Sequence, residues 1–319
     1  MIKQLSFSIA LALGLATAAC ARDAETAQSS DASIATLVQD ETGASVGADV
    51  ASFEFPDDAW RDLDPENTLY IETPHGRIVV EMAPEFAPNH VERMKTLARD
   101  QFYDFLVWHR VIDGFMAQGG GARGNPNHGT DLPLLEAEFN TRRGAELPIS
   151  ELQNRVINPG NGTQSARAGF WHGFPAGTQT IAAAALTGDG QVNSWLLHCT
   201  GAAAMARTSD PNSAGSQFYL TRGNAEHLNA IYTVWGRVRV GQDAVDAMRV
   251  GTLGQDPGFV PDTIDSMRVA ADLPEDERTH VQVIDTDSTA FTAYLDSLRN
   301  AAGELPDVCE IPVPTRILE

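Results

Sequence analysis

The stretch Trp108–Gly120, WHRVIDGFMAQGG, decides how this chain is interpreted. Its β-branched and aromatic residues predict two short strands, at 105–112 and 115–118, which an Asp-Gly turn separates. Arg110 lies inside the first of these apolar strands. Taken alone, such an arginine is more often a surface ion-pair partner than a functional group. Its meaning therefore depends on the residues around it.

Two further blocks follow C-terminal to this stretch. They are Ala204–Tyr219, AMARTSDPNSAGSQFY, and Tyr232–Val238, YTVWGRV. Together the three blocks resemble the signature of cyclophilin-type peptidyl-prolyl cis/trans isomerases, F-H-R-V-I-x-G-F-M-x-Q-G-G followed by M-A-(N/R) and S-x-x-S-Q-F-(F/Y). The resemblance covers roughly Asn67–Ala271, and two long motifs in the same order argue against a chance match.

The fold class follows from the local patterns and from this resemblance. Residues 69–82 read as a hairpin with a Pro-His-Gly turn, and Pro88 begins a helix. Many short strands and two core helices predict a mainly β protein with an antiparallel barrel. The resemblance implies that this is a closed eight-stranded cyclophilin-like barrel capped by two helices. Residues 121–200 are rich in Gly, Pro, Asn and His with poor periodicity. They predict a long irregular insertion.

The resemblance implies a role for each aligned residue. Arg110 is the catalytic arginine, which donates a hydrogen bond toward the prolyl nitrogen, and Gln118 binds the substrate backbone and orients Arg110. Phe115, Met116 and Tyr219 form the walls of the apolar proline pocket. The other residues implied to bind substrate are Ala206, Arg207, Gln217, His227, Leu228 and Tyr232.

Four of these positions depart from the commoner family residues. Tyr219 replaces Phe, and Arg207 stands where eukaryotic members usually have Asn. His227 occupies the position of a Trp that is linked in the family to cyclosporin binding, and Tyr232 replaces a His. We therefore expect weak inhibition by cyclosporin. Catalysis should survive, because neither His227 nor Tyr232 polarises the amide.

The chemistry of X–Pro isomerisation needs no cofactor and no metal. Rotation is slow because it breaks amide resonance, and a fixed cationic donor stabilises the twisted amide. Four residues have side chains of the kind that bind metals, but their spacing in the sequence fits no known ligand pattern. They are His128, His172, His198 and Cys199.

The N-terminus has the features of an export signal. Residues 1–20 contain a positive start and an apolar stretch, Leu5–Ala16, that is too short to span a bilayer easily. The following order resembles a lipobox in which Cys20 is lipidated, which predicts a periplasmic protein anchored to the membrane. Cleavage after Ala18 or Ala21 is the alternative, and it would leave a soluble periplasmic protein.

Composition predicts four segments. Residues 1–20 are the lipoprotein-type signal peptide, and the polar residues 21–55 form a flexible linker because they cannot bury enough apolar surface to fold. Residues 56–273 form the isomerase domain, and 274–319 form a C-terminal extension with a strand and an amphipathic helix.

Charge and cysteines limit the partners. The net charge of −21 argues against nucleic acid, because phosphate-binding proteins need a basic surface. If Cys20 carries lipid, Cys199 and Cys309 are either a disulfide or two thiols.

The resemblance implies that the partners are proline-containing polypeptides and that the protein is a monomer. With the export signal, these polypeptides would be exported client proteins. The alternative function is a proline-peptide binding or scaffold module of the cell envelope with weak or no isomerase activity.

Overall fold

A computed structural model gives the positions of most of the chain beyond the N-terminal segment. The residues it describes are 53–122, 129–144, 147, 149–157 and 166–318. The predicted signal peptide, Cys20 and most of the predicted linker lie outside them. Within those ranges, no helix combines the length and the apolar character needed to cross a membrane.

The described residues form nineteen strands and three α-helices. The strands in chain order are β1 (Trp60–Asp62), β2 (Thr68–Thr73), β3 (Gly76–Met82), β4 (Leu106–Val107), β5 (Arg110–Ile112), β6 (Met116–Gly119), β7 (Thr141–Arg143), β8 (Ser150–Ile157), β9 (Ala166–Trp171), β10 (Phe174–Thr178), β11 (Val192–Leu196), β12 (Ala202–Met205), β13 (Phe218–Thr221), β14 (Val234–Val240), β15 (Gly251–Thr252), β16 (Thr263–Ile264), β17 (Ser266–Val269), β18 (His280–Ile284) and β19 (Thr315–Leu318). The helices are α1 (Pro88–Arg99), α2 (Gln242–Asp246) and α3 (Thr289–Ser297).

The main sheet has nine strands in the order β15-β5-β6-β13-β12-β14-β3-β2-β17. Neighbouring strands are antiparallel, and Trp108, Phe218 and Trp235 are fully buried in the core that the sheet encloses. Within the described residues no ladder joins β15 to β17. The sheet is therefore a curled half-barrel, and the predicted closure into eight strands is not confirmed.

Helix α1 covers this core, as its sequence predicts. Pro88 occupies the first turn, where its missing N–H costs no hydrogen bond. Val91, Met94 and Leu97 recur at helical spacing and are buried. Two first-turn backbone N–H groups donate to the carboxylate of Glu138, each over 3.1 Å, so a side chain from outside the helix caps it.

The insertion is not irregular, and this prediction was wrong. Its described residues form a five-stranded antiparallel sheet in the order β7-β11-β10-β9-β8. Phe170 and Trp195 pack on one face against the C-terminal extension, whereas the neighbouring Trp171 and Leu196 pack on the other face against the main domain. Because both faces are buried, the strands lack the polar–apolar alternation that predicts a strand.

The C-terminal extension folds onto the insertion. Its strands β18 and β19 form a three-stranded sheet with β1, and α3 buries Phe291 and Tyr294 against the insertion sheet. Cys199 and Cys309 form a disulfide with their Cα atoms 5.0 Å apart. The structure thus decides between the two alternatives that the sequence left open.

A buried carboxylate connects these parts. The Glu81 carboxylate of β3 accepts hydrogen bonds from Arg61 of β1 and Arg239 of β14, both over 2.7 Å. Arg61 also donates to the His172 carbonyl, and Arg239 to the Gly173 carbonyl, in the β9–β10 turn. Burial raises the pKa of Glu81, but the two guanidinium groups outweigh this effect and lower it.

Candidate active site

A cleft opens along strands β5, β6 and β13. In the antiparallel register Arg110 faces Gln118, and Gln118 in turn faces Tyr219. Residues that are directly opposite each other on neighbouring strands lie on the same face of a sheet. The two motifs, far apart in sequence, therefore present their polar and aromatic side chains side by side.

The cleft has a volume of about 210 Å³ and is lined by nine of the predicted site residues. They are Arg110, Phe115, Met116, Gln118, Ala206, Arg207, Tyr219, Leu228 and Tyr232. Gln217 and His227 do not line it. Both nevertheless contact a residue that does, as the following contacts describe.

Arg110 is held by its neighbours on β6. Its Nη1 donates to Oε1 of Gln118 over 3.2 Å and lies 3.8 Å from the sulfur of Met116. Neither contact neutralises the guanidinium, and within the described chain no carboxylate forms an ion pair with it. Arg110 therefore keeps its full charge and most of its five N–H donors at the cleft.

Gln118 is itself oriented by a second amide. Its Nε2 donates to Oε1 of Gln217 over 3.0 Å, which leaves Gln118 Oε1 directed at Arg110. Gln217 thus acts through Gln118 rather than on the cleft surface. Gly120, just after β6, has φ +83°, and a Cβ there would lie 2.5 Å from the Ser216 carbonyl. A residue without a side chain is needed for this close approach.

The apolar wall of the cleft is continuous with a buried cluster. Met116 and Tyr219 are 1% and 5% exposed, and they belong to the same cluster as Trp171 and Phe174 of the insertion. Well-packed surroundings fix rotamers. The insertion sheet therefore supports the wall of the cleft from behind.

The rim carries the residues that depart from the family pattern. The exposed His227 ring lies 5.6 Å from the Phe115 ring, centroid to centroid. The Arg207 guanidinium lies 4.2 Å from the Tyr232 ring centroid, a cation–π contact. The backbone N–H of Ala206 donates to the Gln217 carbonyl over 2.9 Å.

The sequence analysis missed one supporting residue, His198. It is buried, and its Nε2 lies 3.0 Å from the Tyr219 hydroxyl while its Nδ1 faces Asn229 Oδ1 at 3.3 Å. A tyrosine in place of a pocket phenylalanine was the available signal, since a buried hydroxyl needs a partner. Among the residues first weighed as metal ligands, His198 thus binds Tyr219 and Cys199 is in the disulfide.

The chain is similar in sequence and in structure to known proteins. The family model for "Cyclophilin type peptidyl-prolyl cis-trans isomerase/CLD" matches residues 68–269. A "Probable peptidyl-prolyl cis-trans isomerase" of Brucella suis biovar 1 (strain 1330) is 31% identical over 211 residues, 66% of this chain and 85% of that protein. "Peptidyl-prolyl cis-trans isomerase cyp18" of Streptomyces antibioticus is 28% identical, over 64% of this chain and 98% of that protein. The crystal structure of cyclophilin AquaCyp293 from Hirschia baltica superposes with a TM-score of 0.72 at 33% identity, over 83% of this chain and 98% of that one.

Proposed function

Because the chain belongs to the family of cyclophilin-type peptidyl-prolyl cis-trans isomerases, we propose that Arg110 accelerates X–Pro rotation by donating a hydrogen bond to the prolyl nitrogen. In the twisted amide this nitrogen loses its resonance with the carbonyl and becomes a hydrogen-bond acceptor. In the planar trans and cis ground states, the nitrogen lone pair is delocalised and does not accept a hydrogen bond. The bond therefore stabilises the transition state selectively, which is the condition for catalysis.

The energetic requirement is within reach of such an arrangement. Uncatalysed rotation faces a barrier of about 18–20 kcal/mol. A reduction of about 7 kcal/mol accelerates rotation roughly 10⁵-fold. A preorganised charged donor in a partly desolvated cleft contributes about 3–4 kcal/mol of this, and desolvation of the amide and the fixed substrate orientation supply the remainder. No proton transfer is needed.

The observation that carries the proposal is the environment of Arg110. Its guanidinium is positioned by Gln118 at 3.2 Å and lines the same cleft as the apolar Met116 and Leu228. A proline ring needs an apolar surface, and its imide nitrogen needs a donor beside that surface. The residues of this cleft offer both. Proline-containing polypeptides are therefore the substrate class.

We extend the proposal to the place of action. The N-terminal pattern that ends at Cys20 supports export and attachment to the membrane. The disulfide of Cys199 and Cys309 supports an oxidising compartment, since such bonds persist outside the cytosol. The clients would then be exported proteins that fold in the periplasm.

The test compares Arg110→Ala with wild type in an NMR exchange assay on a proline peptide. We expect kcat/KM to fall about 10²–10³-fold, the usual effect of removing one transition-state donor. Arg99→Ala is the matched control, because Arg99 is a surface arginine that pairs with Glu66 and Asp272. A wild type that binds the peptide but does not accelerate exchange would support a binding module instead and would overturn the enzyme proposal.

A further inference from the structure

Arg207 is fixed at the rim of the cleft by backbone and aromatic contacts. Its Nη2 and Nε donate to the Ile231 carbonyl over 2.8 and 3.3 Å, and its Nη1 donates to the Thr208 carbonyl over 2.8 Å. The guanidinium carbon lies 4.2 Å from the Tyr232 ring centroid and 5.4 Å from that of Phe139. The charge is thus held in one place rather than on a freely moving side chain.

No carboxylate neutralises this charge in the part of the chain that the structure describes. Arg207 makes hydrogen bonds to carbonyl oxygens alone, whereas Arg239 pairs with Glu81 and Arg249 with Asp262. The contrast is notable because the chain has 43 acidic against 22 basic residues. An excess of carboxylates makes an unpaired arginine a local exception.

Arg110 lines the same cleft and also lacks an acidic partner among the described residues. The nine lining residues therefore include two arginines and no Asp or Glu. A concave site whose only charges are cations concentrates positive potential, even on a protein of net charge −21. Each guanidinium has five N–H donors, so Arg207 retains two after its three carbonyl bonds. These donors match a carboxylate.

We infer that Arg207 selects substrates that carry a carboxylate, from Asp or Glu, beside the proline. The inference rests on the proposed function, since it assigns a substrate preference to the same cleft. The bound carboxylate meets a guanidinium whose position is already set, so little side-chain entropy is lost. Arg110 acts on the amide, and Arg207 acts on the residue next to it.

The experiment uses the wild-type protein and matched peptides that differ only by Glu against Gln, or Asp against Asn, on either side of proline. Isomerisation and binding are measured separately, by NMR exchange and by chemical-shift titration. We expect the acidic peptide to bind about 5- to 10-fold more tightly in at least one register, with the advantage decreasing as salt is raised. Equal affinities for both peptides in both registers would overturn the inference.

Two variants identify the residue responsible. Arg207→Gln should reduce the ratio of acidic-peptide to neutral-peptide affinity to about one, whereas Arg207→Lys should retain part of the difference. An unchanged preference in Arg207→Gln would assign the effect to other groups and overturn the role of Arg207. Failure of the proposed function looks different: no peptide would isomerise faster than background, while the binding preference could still be measured.

Discussion

Tyr219 and His198 form a buried pair in which the phenol oxygen lies 3.0 Å from Nε2 of the imidazole. Asn229 Oδ1 lies 3.3 Å from Nδ1 of the same ring. An amide oxygen only accepts, so Nδ1 carries the proton and Nε2 accepts from the Tyr219 hydroxyl. One wall of the cleft is therefore oriented by a residue at the end of the insertion.

Burial keeps both groups of the pair neutral. It lowers the pKa of His198 to about 4, although the hydrogen bond with Asn229 opposes the shift. It also raises the pKa of the Tyr219 hydroxyl well above its ordinary value. Across the working pH range the network of Tyr219, His198 and Asn229 therefore carries no charge.

Tyr219→Phe should retain isomerase activity and lower the stability of the fold. The substitution removes the hydroxyl and leaves His198 Nε2 without its donor, which costs about 1–3 kcal/mol of unfolding free energy. Urea unfolding of Tyr219→Phe, His198→Leu and the double variant measures the coupling. If the two single effects simply add, the hydrogen bond contributes nothing and this account of the wall is wrong.

The stability of the fold should fall as pH decreases from about 6.5 to about 4. The ordinary pKa of His198 is 6.5 and its folded pKa is about 4, so in this window the unfolded chain binds a proton that the folded chain does not. A shift of this size corresponds to about 3 kcal/mol. The check is urea unfolding at several pH values for wild type and for His198→Gln, whose side chain does not titrate. Identical pH slopes for the two proteins would contradict the prediction.

Reduction of the Cys199–Cys309 disulfide should destabilise the protein by about 2–5 kcal/mol, the usual cost of losing a native disulfide. Its two cysteines are 110 residues apart, so the bond closes a long loop in the unfolded chain. Thermal unfolding with and without dithiothreitol measures the effect. The control is the double variant Cys199→Ser, Cys309→Ser, whose Tm should not change when reductant is added. If the Tm of the wild type does not change either, the disulfide contributes no stability.

Cyclosporin should inhibit this protein weakly. His227 stands where the family's cyclosporin-linked Trp is usually found, and a smaller, more polar ring offers less apolar contact. His227→Trp should strengthen inhibition by about tenfold, which corresponds to about 1.4 kcal/mol. The inhibition constant in a peptide assay decides the matter, and a nanomolar value for wild type would refute the expectation.

Glu81→Gln should lower the free energy of unfolding by about 3–5 kcal/mol, because it leaves the buried Arg239 and its neighbour Arg61 without their counter-ion. Glu72→Gln is the matched control. Its partner Arg77 and Glu72 itself are both about one-third exposed, so we expect a loss of about 1 kcal/mol or less. If urea unfolding shows that the two variants lose the same free energy of unfolding, burial of the Glu81 ion pairs does not strengthen them.

The sequence predicted those elements that local turn and helix-start residues delimit. The hairpin of β2 and β3, the start of α1 at Pro88 and the extension strand His280–Ile284 all lie where their patterns place them. The resemblance to the cyclophilin signature also implied which side chains meet, since nine of the eleven residues line one cleft. Local pattern alone would not have brought β6 and β13 together, because the whole insertion separates them in sequence.

The remaining features depend on contacts between distant segments. The insertion sheet has two covered faces, and nothing in the run Gly169–Gly177 indicates that the tail covers one of them. The pairing of His198 with Tyr219 likewise depends on how the insertion returns to the main sheet. The resemblance implied that the two edge strands of the sheet pair with each other to close the barrel. This closure is not confirmed, and the number of strands alone does not determine whether β15 and β17 meet.

The short strand β1 has a mechanical consequence. It pairs with β18 over three residues, Trp60 to Asp62, and Arg61 within it binds Glu81 of the main sheet. Separation of β1 from β18 would break this short ladder and would also strain the part-buried ion pair of Arg61 with Glu81. The strand therefore couples the C-terminal extension mechanically to the main sheet. The cleft residues lie on β5, β6 and β13, none of which forms a ladder with β1.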